Sequence, residues 1–140
     1  MISYLLIALL AASSTTEPQA SDTLGMRMEE YRNCVSEQIR EEALRQYRKD
    51  RKLASDKVIA DFAIRACTAF SERLRTQIAQ DLTPMYPDKS PSEIDQLASE
   101  GVADFNKTTM KTFARAFVRD VPKKTIEMVE EEDRAQNAQN

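Results

Sequence analysis

Residues 56 to 82, DKVIADFAIRACTAFSERLRTQIAQDL, carry apolar side chains at steps of three and four residues. That spacing places the side chains on one face of an α-helix. Ser55 is a favourable N-cap, and Asp56 suits the positive end of the helix dipole. The stretch therefore predicts an amphipathic helix over 56–82. Its apolar face comprises Ile59, Phe62, Ala63, Ala66, Cys67, Phe70, Leu74, Ile78 and Leu82.

Residues 26 to 52 repeat this spacing and precede the first stretch by only a short segment, KDRKLASD at 49–56. Two amphipathic helices joined by a short loop pack antiparallel, so the sequence predicts a helical hairpin. The apolar positions of the earlier helix are Met28, Tyr31, Val35, Ile39, Ala43 and Tyr47.

The chain contains two cysteines, Cys34 and Cys67, one on each predicted helix of the hairpin. Residues equally far from the connecting loop face each other in an antiparallel pair. The midpoint between Cys34 and Cys67 in the sequence lies within about one helical turn, ~5 Å, of the expected bend. We therefore predict an interhelical disulfide between Cys34 and Cys67. Free thiols or redox chemistry are the alternatives, but the chain has no CxxC motif and no histidine to complete a zinc site.

A third helix is predicted over 91–121, after the proline-containing loop LTPMYPDKSP at 82–91. Ser90, Pro91 and Glu93 supply a capping box with proline at the first helical position. Gly101 then marks either a kink or a close helix crossing, and the sequence does not decide between them.

One face of the third helix is apolar and the opposite face is basic. Regular winding at 100° per residue predicts a core face at Val102, Phe105, Thr109, Met110, Phe113, Ala114, Phe117 and Val121. The basic residues are Lys107, Lys111, Arg115, Arg119 and Lys123. The same winding predicts an ion pair between Asp104 and Lys107, and it buries Asn106 of the sequon Asn106-Lys107-Thr108. The basic face has three interpretations: the solvated side of a core helix, which we favour, a contact for an anion or a partner, or a membrane surface.

After Pro122 the sequence predicts a short helix and then a disordered acidic and polar tail, over 122–140. Residues 27 to 75 carry 12 basic and 9 acidic side chains, whereas residues 76 to 140 carry 8 and 12. This asymmetry allows electrostatic self-association, or folding back of the acidic tail toward the basic segment RQYRKDRK at 45–52. For that basic segment itself, solvated loop charge is the simplest interpretation.

The first residues, MISYLLIALLAA, form an apolar run that is too short to span a bilayer, for which ~20 residues are needed. The run matches the core of a secretory signal peptide, although no lysine or arginine precedes it. We predict a signal peptide and short linker over residues 1–20, with cleavage between 12 and 20. The alternative is a retained N-terminal helix that is either interfacial or hydrophobic.

Composition supports one all-α domain over 24–121, in a chain of 140 residues that is 41% hydrophobic and 31% charged, with two glycines. The predicted fold is a small three- to four-helix bundle built on an antiparallel helical hairpin. We predict no catalytic residues, no metal site and no cofactor, because the chain lacks histidine and a phosphate-binding glycine loop. The acidic run 130–133 lacks the alternating geometry of a calcium loop. We expect no nucleic-acid partner, because the domain is not strongly basic.

These observations predict a small exported, non-catalytic helical protein, periplasmic or secreted. It would act by binding an unidentified protein in the cell envelope, in a stress, chaperone-like or accessory role. The alternative is binding to an anion or a membrane surface through Lys107, Lys111, Arg115 and Arg119. The membrane surface is possible but not favoured, and the oligomeric state is left open.

Overall fold

The computed structural model describes the backbone of residues 20–140 and side chains from Thr23 onward. Residues 1–19 of the predicted signal peptide and linker lie outside the described residues. Over the described part the chain is helical and contains no strand, which confirms the all-α prediction. The elements are α1 (Ala20–Asp50), α2 (Asp56–Ala66), α3 (Thr68–Leu82), α4 (Pro91–Phe105), a π-helical turn (Asn106–Met110) and α5 (Lys111–Ala138).

The first half of the domain is the predicted antiparallel hairpin. α1 packs along both α2 and α3, and Ser55 begins the second arm by accepting a hydrogen bond from the Val58 N–H at 3.4 Å. Cys34 and Cys67 link the two arms through a disulfide, with sulfurs 2.09 Å and Cα atoms 6.0 Å apart. The predicted cysteine pairing is therefore confirmed.

The second arm differs from the prediction, because the expected helix 56–82 is two helices separated at Cys67. This residue has φ −99° and ψ 24°, outside the helical region. Its carbonyl oxygen still accepts hydrogen bonds from the N–H groups of Phe70 and Ser71, so the interruption is one residue wide. No glycine or proline lies nearby to signal it. The break coincides with the fully buried sulfur that is bonded to α1.

The second half of the domain is one long helical path through α4, the π turn and α5. It begins at the predicted capping box, in which the Ser90 hydroxyl accepts from the Glu93 N–H at 3.3 Å and the Glu93 carboxylate accepts from the Ser90 N–H at 2.8 Å. α4 packs on α3, whereas α5 packs on α1 and α2. α5 runs parallel to α1. This direction follows from the contacts of three arginines of α1, since Arg32, Arg40 and Arg48 contact successively later residues of α5.

The third helix does not end at 121 as we predicted. α5 passes through Pro122 and continues to Ala138, replacing the expected separate short helix and disordered tail. A proline removes one helical hydrogen bond but does not prevent continuation where packing supports it. Here Thr125 and Val129 are buried after the proline, and Glu132 and Asp133 form ion pairs with α1 and the loop that follows it.

The π turn also changes which residues of the long helix face the core. Two regular turns after Val102 would place Thr109 inward, but the wider π turn takes up one additional residue, so Met110 is buried and Thr109 is exposed. The predicted inward positions Phe105, Phe113 and Phe117 are only half-buried. The buried positions that follow the π turn are Met110, Ala114, Val118, Val121, Thr125 and Val129.

The core forms where α1 meets α2, α3 and α5, and its largest fully buried side chains are Tyr31, Ile39, Ile59, Leu74 and Met110. Gly101 does not interrupt α4 and does not mark a tight helix crossing. α4 continues through it, and an added Cβ would lie 3.9 Å from the Ile78 Cδ1 atom, an ordinary contact distance.

Candidate binding surfaces

The basic residues of α5 and the π turn form one exposed surface, which we call the basic face: Lys107, Lys111, Arg115, Arg119 and Lys123. Arg119 is paired, with its Nε atom 3.6 Å from the Asp56 Oδ2 atom on α2. Within the described residues the other four form no ion pair. The structure thus brings the predicted site residues to one surface and leaves most of their charge available to a ligand.

The expected pair between Asp104 and Lys107 does not form, because the π turn alters the spacing assumed for a regular helix. The Asp104 carbonyl instead accepts a hydrogen bond from the Thr108 hydroxyl at 2.7 Å, and Thr112 donates in the same way to the Thr108 carbonyl at 2.7 Å. Bonds from a threonine hydroxyl to the carbonyl four residues earlier often bend a helix. The two threonine bonds therefore accompany the irregular winding of this segment.

Asn106 opens the π turn and is half-buried, beside one of the phenylalanines that we expected around it. Its Oδ1 atom accepts a 2.7 Å hydrogen bond from the buried Tyr31 hydroxyl, and the Tyr31 ring lies 6.3 Å from that of Phe105. Burial raises the pKa of Tyr31, and the bond to Asn106 opposes that effect in part. Sequence reasoning missed this contact, although a tyrosine on a core face signals the need for a polar partner.

The half-buried phenylalanines of α5 support a second group of cations on α1. The Arg32 guanidinium lies 5.4 Å from the Phe113 ring centre, and that of Arg40 lies 4.9 Å from the Phe117 ring centre. The two rings are stacked at 5.9 Å. Arginine is attracted electrostatically to aromatic faces at such distances. The phenylalanines therefore hold arginines on the α1 flank of α5 rather than filling the middle of the core.

A third charged surface lies at the end of the bundle where α1 turns into α2. We call it the basic tip, and it comprises six exposed residues, Arg45, Arg48, Lys49, Arg51, Lys52 and Lys57. The acidic end of α5 reaches this surface, because Arg48 pairs with Glu132 at 2.5 Å and Arg51 pairs with Asp133 at 3.0 Å. The acidic segment therefore contacts the basic segment 45–52 within the same chain, through the continuation of α5 and not through a tail that folds back.

Beside the basic tip, a buried carboxylate ties α1 to the following loop. Glu42 is 7% exposed and accepts hydrogen bonds from Arg45, at 2.5 and 2.8 Å, and from Gln46 at 2.8 Å. Gln46 in turn accepts from the Ala54 N–H at 2.8 Å. The bond to Arg45 lowers the pKa of Glu42, and burial opposes it. The network fixes the loop that presents the tip.

Several large apolar side chains are exposed, including Val58 and Phe62 one turn apart on α2, at 54% and 38%. Among residues 20–140, no cluster of three or more histidine, cysteine or acidic side chains is arranged to hold a metal ion. None of the described helices combines the length and apolar character that crossing a membrane requires.

Comparison with known proteins finds no matching protein-family model, no matching curated protein and no matching solved structure, so function has to be inferred from the residues of this chain.

Proposed function

We propose that this chain is an exported, non-catalytic helical protein that acts by binding another protein in the cell envelope or outside the cell. The main observation that supports export is the Cys34–Cys67 disulfide. Disulfides persist in oxidising compartments and are rare in reducing ones. The apolar run at residues 1–12 supports the same compartment, because it has the length and composition of a signal-peptide core.

The binding role is supported by the rigidity of the elements that carry the exposed charged side chains. The basic face and four of the six residues of the basic tip stand on helices whose opposite sides are packed in the core, and Arg51 and Lys52 lie in the short loop that joins α1 to α2. Side chains on such rigid elements lose less freedom on complex formation than those on mobile loops. The exposed Val58 and Phe62 add apolar area of the kind that binding sites use. An envelope stress factor, a chaperone-like protein and an accessory subunit all fit this description.

The compartment is tested by the intact mass of the protein purified from its native cell, measured with and without reduction and thiol alkylation. Loss of the first 12 to 20 residues, with both thiols protected until reduction, is the expected result. A full-length mass with two alkylatable thiols contradicts export.

The binding role is tested by photo-crosslinking in the native cell, with a crosslinking amino acid at one exposed position on each surface. Suitable positions are Lys49 on the tip, Arg115 on the basic face and Phe62 on α2, with Ser99 on α4 as a matched exposed control. We expect at least one of the three to give a discrete protein adduct that Ser99 does not give. Absence of any such adduct contradicts a protein-binding role.

The second candidate function is binding to an anion or a membrane surface through Lys107, Lys111, Arg115 and Arg119. It is favoured by the absence of ion pairs to the first three within the described part of the chain. Cosedimentation with anionic lipid vesicles, at low and high salt, tests it against the variant K107Q/K111Q/R115Q. A salt-sensitive association that the variant loses supports this function. Equal sedimentation of the variant and the parent protein contradicts it.

A further inference from the structure

Three of the six cations of the basic tip form ion pairs within the described residues, and the other three do not. Arg45 is paired with Glu42 on its own helix, whereas Arg48 and Arg51 are paired with Glu132 and Asp133 of α5. Over the described residues, none of the three lysines of the tip takes part in an ion pair. These lysines are Lys49, Lys52 and Lys57.

The two contacts from α5 are well formed but accessible to solvent. Arg48 approaches Glu132 through two nitrogen atoms, Nη2 to Oε1 at 2.5 Å and Nε to Oε2 at 3.2 Å. Both side chains remain close to half exposed, as are those of Arg51 and Asp133. Exposed ion pairs contribute little net free energy and exchange with other anions in solution. The acidic residues of α5 are therefore ligands that an external carboxylate can displace.

We propose that the basic tip is a docking surface for an acidic segment of a partner protein, and that Glu132 and Asp133 occupy part of it as an internal competitor. This inference rests on the proposed protein-binding function and names the chemistry of the partner. The partner offers carboxylates spaced like those of the α5 end, so that it can engage the two arginines and the neighbouring lysines together.

The charges of the tip favour an acidic protein segment over a nucleic acid. Asp50 lies among the cations, and Asp56, which is paired with Arg119, lies next to Lys57. A continuous line of phosphates would meet these negative groups, and the whole chain carries a net charge of −3. Separate carboxylates on a flexible or helical segment can avoid them and still pair with arginine.

The test measures binding of a fluorescein-labelled, glutamate-rich peptide by anisotropy, with the same peptide carrying glutamine instead of glutamate as reference. The variant E132Q/D133N removes both internal contacts. Its matched control is E130Q/E131Q, which changes the net charge equally, in the same turn region, at two exposed residues that form no ion pair within the described chain. Thermal unfolding of both variants establishes that α5 remains packed.

We expect E132Q/D133N to bind the glutamate peptide about threefold to tenfold more tightly than the parent protein, because two exposed ion pairs no longer compete. The control should gain much less. Adding K49Q/K52Q/K57Q to E132Q/D133N should remove most of the gain, and high salt should do the same.

Three results would overturn the inference. The first is an equal gain in both variants, which indicates long-range charge alone. The second is no preference for the glutamate peptide over the glutamine peptide. The third is tighter binding of a DNA oligonucleotide of the same charge than of the peptide. A photo-crosslinked partner at Phe62 or Arg115 together with any of these results would retain the proposed function and reject the tip as its site.

Discussion

Tyr31 on α1 donates a 2.7 Å hydrogen bond to Asn106, 75 residues later in the chain, at the position where α4 gives way to the π turn. The tyrosine is fully buried, so its hydroxyl has little access to water. The bond joins the first helix of the hairpin to the irregular turn of the long helix. It also gives the buried hydroxyl of Tyr31, the largest side chain in the core, a hydrogen-bond partner.

The two partners of this bond should respond unequally to mutation. Asn106→Ala leaves a buried hydroxyl without a partner and should cost about 1–3 kcal/mol. Tyr31→Phe removes the hydroxyl itself and leaves the amide of a half-buried residue that water can reach, so it should cost about 1 kcal/mol or less. Urea unfolding of both variants measures the difference. Equal losses, or a larger loss for Tyr31→Phe, would show that the hydrogen bond is not what stabilises this contact.

Gly101→Ala should stabilise the protein by about 0.5–1 kcal/mol. The residue lies within α4 without a positive φ, and the new methyl group would meet only the Ile78 side chain at an ordinary distance. Alanine favours the helix because it restricts the unfolded chain more than glycine does. Thermal unfolding measures the change. A lower melting temperature would mean that α3 and α4 approach more closely than this packing allows.

Removal of the disulfide should be the largest single loss. The bridge closes a loop between residues 33 positions apart in the sequence, and the loop-closure relation gives about 3–4 kcal/mol for a loop of that size. Cys34→Ser with Cys67→Ser, compared by urea unfolding with the parent protein before and after reduction, measures it. The double variant and the reduced parent should agree closely. A loss below about 1 kcal/mol would show that the reduced chain restricts the same loop by other contacts.

Stability should fall in acid partly through Glu42. Its pKa is lowered in the folded protein by Arg45, so the unfolded state binds its proton first as pH decreases. The stability that ionised Glu42 contributes is therefore complete above its ordinary pKa of 4.5. It is lost as pH falls through the lower pKa that Glu42 has in the folded protein.

Glu42→Gln should accordingly reduce stability near neutral pH and flatten the dependence of stability on pH below about 4.5. The measurement is urea unfolding of both proteins across that range. Glu41→Gln is the control, because Glu41 is the exposed neighbour of Glu42 on the same helix. Parallel pH profiles for Glu42→Gln and the parent protein would exclude Glu42 as a source of the acid sensitivity.

The hairpin, the disulfide and the start of α4 were predictable because each depends on residues close together or on a simple count from one loop. The π turn was not, because one additional residue within a helix leaves the apolar spacing on either side intact. That residue moved Phe113 and Phe117 from the predicted core face to its edge and placed Val118 inside. The predicted spacing of core positions was therefore correct within each segment of the long helix. The predicted register between the two segments was wrong by one residue, because it was counted through Asn106–Met110 as a regular helix.

The sequence predicted that the charged residues of the candidate surfaces are exposed. It did not predict which of them form ion pairs with one another. Periodicity placed Lys111 and Arg115 on the outer side of their helix, which the structure bears out. The contact between Arg48 and Glu132 joins residues 84 positions apart and requires α5 to continue beyond Pro122. Local signals at that proline favour a stop, whereas the burial of Val129 and the charges at the tip favour continuation.

Arg51 provides a further test, because its backbone and its side chain act in opposite directions. It follows the end of α1 with φ 51°, a left-handed conformation that costs a residue with a side chain about 1–2 kcal/mol. Its N–H closes the helix end by donating to the Tyr47 carbonyl at 2.9 Å, and glycine retains that bond. The side chain contributes an exposed ion pair with Asp133, worth about 0.2–1 kcal/mol, and its guanidinium lies 5.9 Å from the Tyr47 ring centre.

Arg51→Gly should therefore raise the stability of the protein by up to about 1 kcal/mol, although it deletes an ion pair and the contact with the Tyr47 ring. Asp133→Asn removes the same pair without changing the backbone or the contact with the Tyr47 ring, so it should lower stability slightly and isolates the contribution of the ion pair. Chemical unfolding of the two variants separates the effects. A loss of stability in Arg51→Gly that exceeds the loss in Asp133→Asn would mean that the arginine side chain holds the turn more strongly than the left-handed backbone opposes it.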